Sequence, residues 1–359
     1  MNNKNIRQSN FELLRIISML MIVAHHFAVH SNFDFPNSYI GFSKFWIHFV
    51  QLWGKVGTNI FILITGYFLV TSTKFNIKKI ITFWVQVFSY SIILYLIPIV
   101  IKFGDFSIGN FTMHLFPISF SFWWFATVYF FLYLFSPFLN KFLNSLDIKT
   151  YKKFIILEAI CFCLIPTFLN VNPAGNNFIV LIFVYSIGGY FRLHPLNLKH
   201  SPKYYVFIAL LIALGTYLIN VALDFMAYYF ENIPYSPTYL YKIYTLPMLL
   251  IAIFIFLGFT KISLKYNAFI NLIASATFGV YLIHEEPFIR VLLWTILFNV
   301  SQFTHTVAIV PISLCIIGFV YIACTIIELL RKWIYDKLFS KWIDRLAKFI
   351  DISLEKVSY

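Results

Sequence analysis

Glu12–Phe27 reads ELLRIISMLMIVAHHF, an apolar stretch that carries one carboxylate, one guanidinium and two imidazoles. Apart from those groups it has the length and character of a helix crossing the ~30 Å hydrocarbon core of a bilayer. Arg15 and His26 are eleven positions apart. At about 100° per residue that is about 20° past three full turns, so the two side chains share a helix face, roughly 16 Å apart along the axis. His30 extends the face by one turn. His25, about 1000° on from Arg15, lies about 80° off the stripe and is the rival base. Ionisable groups at membrane depth are costly, and they usually face a bundle interior or a wet cavity and have a function there. The alternative is that Arg15 snorkels to the headgroups and His26 is a satisfied core histidine. The shared face, and Glu12 one turn below Arg15, favour a functional stripe.

The rest of the chain agrees with a membrane setting. Its 359 residues are 60% hydrophobic and 11% charged, with mean hydropathy +0.81. Soluble domains carry about 25% charged residues. Forty-four Phe and 23 Tyr suit helices that face lipid and each other. The net charge of +13 does not point to nucleic acid, because the bases sit between apolar runs instead of forming one patch. Cys161, Cys163, Cys315 and Cys324 all fall in apolar runs without zinc spacing, and are expected to be buried and inert.

Apolar runs of spanning length lie at about 11–30, 54–72, 80–101, 117–139, 154–170, 177–191, 204–223, 240–259, 268–299 and 305–330. The expected fold is an all-α polytopic membrane protein of about ten transmembrane helices. Pro287 is expected to break the long ninth run. Residues 42–53, rich in Trp and Phe, read as an interfacial piece before the second span. The first run lacks an A-x-A-like cleavage site and is read as a retained span. With the N-terminus inside, the outer side keeps Lys44, Lys55, Lys102, Lys242 and Arg290, five of the 27 bases. Lys4, Arg7, Lys356 and the other bases fall inside, which makes both termini cytoplasmic. The outer connections then hold Asp34, Asp105, Asp224, Glu231 and the NPAGNN turn at 172–177. Residues 1–330 form the membrane domain and 331–359 a cytoplasmic basic tail. In that tail Trp333, Leu338, Trp342, Leu346 and Phe349 can make one face of an amphipathic helix on anionic lipid.

The chemistry of the stripe suits group transfer to an alcohol. A neutral imidazole accepts a hydroxyl proton near pH 7, and an arginine holds a phosphate or a carbonyl oxygen at any relevant pH. The segment FELLRIISMLMIVAHH (Phe11–His26) resembles the first span of the acyltransferase-3 family of integral membrane acyltransferases, whose signature is an arginine, ten residues and a histidine. That signature maps onto Arg15 and His26. VGTNIFILITGYFLV (Val56–Val70) is similar to the family's G-V-x-I-F-F-x-I-S-G-Y at Gly57, Asn59, Phe61, Gly66 and Tyr67. FWWFATVYFFLYLFSPFLN (Phe122–Asn140) resembles its tryptophan-to-proline run, with Trp124, Tyr133 and Pro137. GVYLIHEEP (Gly279–Pro287) is similar to its Y-L-I-H element, with His284. One departure is that the family's R-x-x-R before the third span is replaced here by Lys74, Lys78 and Lys79, which keep the charge but lose the bidentate fork.

The resemblance implies a donor, acetyl-CoA, whose phosphates would meet Lys74, Lys78 and Lys79, whose alternative role is topology alone. It implies a glycan acceptor, a hydroxyl of a surface polysaccharide or its lipid-linked precursor, at the cell (plasma) membrane. His26 would act as base or relay, and Arg15 would orient the thioester end of the donor. Glu12, Asn59, Tyr67, Trp124, Tyr281, His284 and Glu285 are acceptor-binding or supporting candidates, and no metal is expected. Four of them have a plainer reading: Asn59 as a packing hydrogen bond, Trp124 as part of an aromatic belt, His284 and Glu285 as a solvated helix end. The rival function is a carrier that moves a small acid or glycan with no covalent step. Besides acyl-CoA and glycan, the expected partners are membrane lipids, with no nucleic acid.

Overall fold

A backbone in hydrocarbon must satisfy its N–H and C=O groups within its own segment, so the apolar runs of this chain fold as helices. The computed structural model describes residues 8–173, 177–230 and 236–357, the last four as backbone alone. Lys4, Arg7, Glu231, residues 174–176 of the NPAGNN turn and the Lys356 side chain lie outside the described residues. The helices in chain order are α1 Ser9–His30, α2 Phe42–Leu69, α3 Ile77–Val100, α4 Ile108–His114, α5 Trp124–Ser145, α6 Ile148–Ala159, α7 Ile165–Leu169, α8 Asn177–Leu193, α9 Pro202–Tyr229, α10 Leu246–Thr260, α11 Ala268–Ala274, α12 Thr277–His284, α13 Pro287–Val291, α14 Ile309–Leu338 and α15 Ser340–Val357. There is no strand among the described residues.

Six of these helices, α1, α2, α3, α5, α9 and α14, are long and apolar enough to cross a bilayer. The segments Ala268–His284 and Pro287–Leu297, bent by 80°, make a seventh if counted as one broken span. The ten apolar runs all fall on helices, but besides that broken ninth run three others do not form a single long one. Two give α8 and α10, which are shorter. The third is divided into α6, a π turn at Ile160–Leu164 and α7, where Pro166 lacks the N–H that an unbroken ladder needs.

Residues 42–53 are not a separate piece before the second span but the first twelve residues of α2, which runs unbroken for 28 residues. The reason is a charge cancelled at a distance. Lys44 is 2% exposed, its Nζ lying 3.1 Å from Asp224 Oδ1. Asp224, expected in a connection, is instead wholly buried in α9 and also accepts from His48 Nδ1 at 2.8 Å.

Helix α1 is central, packing against α2, α10, α11, α12 and α14. The α2–α8 crossing needs glycine on both sides: a Cβ on Gly66 would lie 2.2 Å from Tyr185 O, and one on Gly188 would lie 2.3 Å from Leu63 O. Contacts also gather the helix ends. Ser9 Oγ accepts from Asn271 Nδ2 at 2.9 Å, Asn10 Nδ2 donates to Phe259 O at 2.9 Å, and the Phe11 and Tyr67 rings stack. The Ser9, Leu69, Thr260 and Ala268 ends therefore share one end of the bundle.

The boundary read at 330 falls inside α14, which continues to Leu338. Trp333 and Leu338 thus belong to α14, and they, Trp342 and Phe349 are exposed. The tail helix α15 turns a different face to the protein: Ile343 and Ala347 pack on Ile77, Ile81 and Val85 of α3, flanked by Leu346 and Ile350. Of the cysteines, Cys163 and Cys324 are buried, whereas Cys161 and Cys315 are exposed and not buried as expected.

Candidate active site

The site is built where α12 breaks. Pro287 has no N–H and pushes the residue before it out of the helical region, and Glu286 is extended there (φ −62°, ψ 135°). Glu286 then caps α13 by accepting from Ile289 N at 2.8 Å. The break leaves Leu282 O without its helical partner, and Trp123 Nε1 donates to it at 3.0 Å. At the corner sits Glu285, 8% exposed, aimed at α1.

Four ionisable side chains converge on that corner. His26 Nδ1 lies 2.8 Å from His284 Nε2 and 3.2 Å from Glu285 Oε2. His30 Nε2 lies 3.3 Å from the same carboxylate oxygen, and Arg290 holds the other oxygen at 3.3 Å. His284 is fully buried, and its Nδ1 lies 2.6 Å from Val280 O. A carbonyl has no proton to give, so His284 Nδ1–H is the donor there. With both rings neutral, His284 Nε2 must then accept, and His26 Nδ1–H donates to it. The proton-free nitrogen of His26 is therefore Nε2, which has no hydrogen-bond partner among the described residues. Packing has thus oriented the His26 imidazole from behind by a second imidazole that is itself fixed by backbone.

His26 lines a cavity of about 20 Å³ together with Met19, Ile22, His25, Gly54, Lys55, Thr58, Trp124, Phe125 and Tyr281. That holds about one water, so a substrate enters only as lining side chains move. His25 is fixed by its Nδ1 on Gln51 O at 2.7 Å. The ligand atoms of His26, His284 and Glu285 lie within 4.8 Å of one another, close enough to share a cation. The arrangement fits shared protons better: 2.8 Å is a hydrogen-bond distance, and Arg290 already brings positive charge to Glu285.

The expected site residues divide into two groups. His26, Trp124, Tyr281, His284 and Glu285 come together around this cavity. Arg15 does not: its guanidinium pairs with Glu12 at 2.7 Å, and buried Met19 and Ile22 occupy the α1 face between it and His26. Tyr67 lies at the Arg15 end, its ring 5.2 Å from the Arg192 guanidinium. Asn59 makes a packing bond, Nδ2 to Ile243 O at 3.0 Å. Lys74, Lys78 and Lys79 are exposed around the start of α3, where Lys78 pairs with Asp344 of α15 at 2.5 Å. Sequence reasoning missed Arg290 and Lys55 as site residues, counting both only as outer bases. For Lys55 the available signal was an ammonium inside an apolar run, one turn before Thr58.

No curated protein and no solved structure matches the chain. The family model for the acyltransferase domain (Acyl_transf_3) matches residues 8–328, which includes every helix that supplies the His26 cluster. A buried histidine oriented by a second histidine, inside a bundle of membrane-spanning length, is in keeping with that match, and the chain belongs to the acyltransferase-3 family.

Proposed function

We propose that the protein transfers an acetyl group from cytoplasmic acetyl-CoA to a hydroxyl of a surface or exported glycan, or of its lipid-linked precursor. The observation that carries the reading is the His284–His26 pair, which leaves His26 Nε2 proton-free beside a cavity. In the transfer the acceptor oxygen bonds to the thioester carbon as His26 Nε2 takes its proton. The C–S bond then breaks, and the leaving thiolate takes the proton from His26, giving an ester and free CoA. Glu285 faces His26 at 3.2 Å and stabilises the imidazolium that forms in between.

Arg15 acts at the other end. About 16 Å along α1 separates it from His26, so the two do not meet on one atom. Arg15 and the lysines at 74, 78 and 79 receive the phosphorylated part of the donor, and the pantetheine arm reaches toward His26. This places the Ser9 end and both termini in the cytoplasm of a bacterial-type plasma membrane, as the distribution of bases indicates. The short helices α8 and α10 and the α6–α7 segment complete a ten-crossing bundle.

The test uses the full chain in vesicles, with labelled acetyl-CoA and an envelope glycan fraction as acceptor. Alkali-labile label on the glycan is the expected product, lost in His26→Ala. Movement of label with no ester would favour a carrier, and undiminished transfer by folded His26→Ala would end the assignment.

A further inference from the structure

Among the described residues several basic side chains of the bundle core have a carboxylate partner, and Lys55 at the cavity has none. Arg15 pairs with Glu12, Lys44 with Asp224, and Arg290 with Glu285. Lys55 has no hydrogen bond or ion pair among the described residues. Its ammonium lies 5.4 Å from the centroid of the Trp124 ring, in the cavity that also holds His26. Glu285 acts on it only at longer range, and that carboxylate is already shared by His26, His30 and Arg290. A cation without a counter-ion in such a bundle is costly. The same low dielectric makes it a strong partner for an anion that enters the cavity.

We infer that Lys55 forms an oxyanion site. This rests on the acyl-transfer reading above and supplies what that reading lacks, a group to meet the carbonyl oxygen. As the acceptor oxygen bonds to the carbonyl carbon and its proton passes to His26 Nε2, the C=O electron pair moves onto oxygen beside the Lys55 ammonium. The pair returns as the C–S bond breaks. Lys55 keeps its protons throughout and is neither acid nor base. The face of Trp124 holds the ammonium without using its N–H donors, so those donors remain free for the oxyanion. The ligand class is thus an acyl carbonyl that becomes anionic, and the group is fixed in place before reaction.

The experiment compares Lys55→Met, which removes the charge, with Lys55→Arg, which keeps it, alongside His26→Ala. Each full-length variant is assayed in vesicles with labelled acetyl-CoA and the envelope glycan fraction. Loss of one oxyanion donor costs about 10²–10³ in kcat. Lys55→Met should therefore lose about 10²-fold or more in kcat, with an unchanged KM for acetyl-CoA, and Lys55→Arg should recover most of the loss. A smaller loss, an effect on KM alone, or no recovery by arginine overturns the inference. If His26→Ala is inactive in that case, the acyl-transfer reading stands without Lys55. If His26→Ala is fully active, the reading itself has failed, whatever Lys55 does.

Discussion

Gly54 and His25 leave no room for a side chain between them: a Cβ on Gly54 would lie 2.2 Å from both Cβ and Cγ of His25. This contact sets how closely α2 approaches α1 one residue from His26. Gly54→Ala gains helix propensity of about 1 kcal/mol, but the clash is with atoms next to the backbone, which cannot swing aside. The net expectation is a destabilisation of about 1–3 kcal/mol and a loss of transfer as His26 is displaced. Gly215, with nothing within 4 Å of a built Cβ, is the control. Gly215→Ala should leave the rate unchanged and the unfolding midpoint equal or slightly higher. Thermal unfolding in detergent, read beside the transfer rate, checks both.

In the proposed transfer His284 would act through His26. Its Nε2 holds the proton on His26 Nδ1, and without it either nitrogen of His26 can carry that proton. His284→Ala should lower kcat within the ~10²–10⁴-fold range of a displaced general base, with KM for acetyl-CoA unchanged. His25→Ala should cost less, because His25 is turned to Gln51 O. Equal losses in the two variants would make His25 a partner in the base and refute the division of roles.

How far these relationships can be read from the chain depends on distance along it. The placing of His26 on an inward face follows from periodicity within α1 alone, and Tyr281 and His284 follow from one turn of α12. The break at Pro287 is local chemistry and lies where it was expected. What joins His26 to His284 is a contact across 258 positions, invisible to periodicity. The same limit holds for 42–53, whose union with the second span in one helix is accompanied by a distant ion pair. Lys44 looks like a residue that must reach water until Asp224, far along the chain, is seen beside it. Arg15 and His26 share a face as their spacing requires, yet a shared face is not a shared cavity, because Met19 and Ile22 fill the space between.

Asp224 offers a stability prediction independent of catalysis. Its carboxylate meets Lys44 at 3.1 Å and His48 at 2.8 Å, and Asp224 and Lys44 are both nearly inaccessible. Removing one partner of a buried pair leaves a charge uncompensated and costs about 3–5 kcal/mol. Asp224→Ala should therefore unfold at clearly lower temperature, while the double variant Asp224→Ala, Lys44→Met recovers part of the loss. A single variant as stable as wild type would show that water reaches Lys44.

The last prediction concerns the donor end. Lys78 and Asp344 are 60% and 55% exposed, so their pair contributes at most about 1 kcal/mol, and Asp344→Asn should leave α15 docked through Ile343 and Ala347. The neutral residue frees the Lys78 charge, however, and a phosphate ligand would gain from that. If Lys74, Lys78 and Lys79 hold the donor, Asp344→Asn should lower KM for acetyl-CoA about two- to threefold, a few tenths of a kcal/mol as expected for an exposed charge. Replacing all three lysines with alanine should raise KM with little change in kcat, as for binding energy equal in ground and transition states. The KM shift should fade as salt is raised, because exposed charges are screened within about 8 Å at physiological ionic strength. A salt-independent KM, or a triple variant with wild-type KM, would leave these lysines with topology as their role and move donor recognition to Arg15 alone.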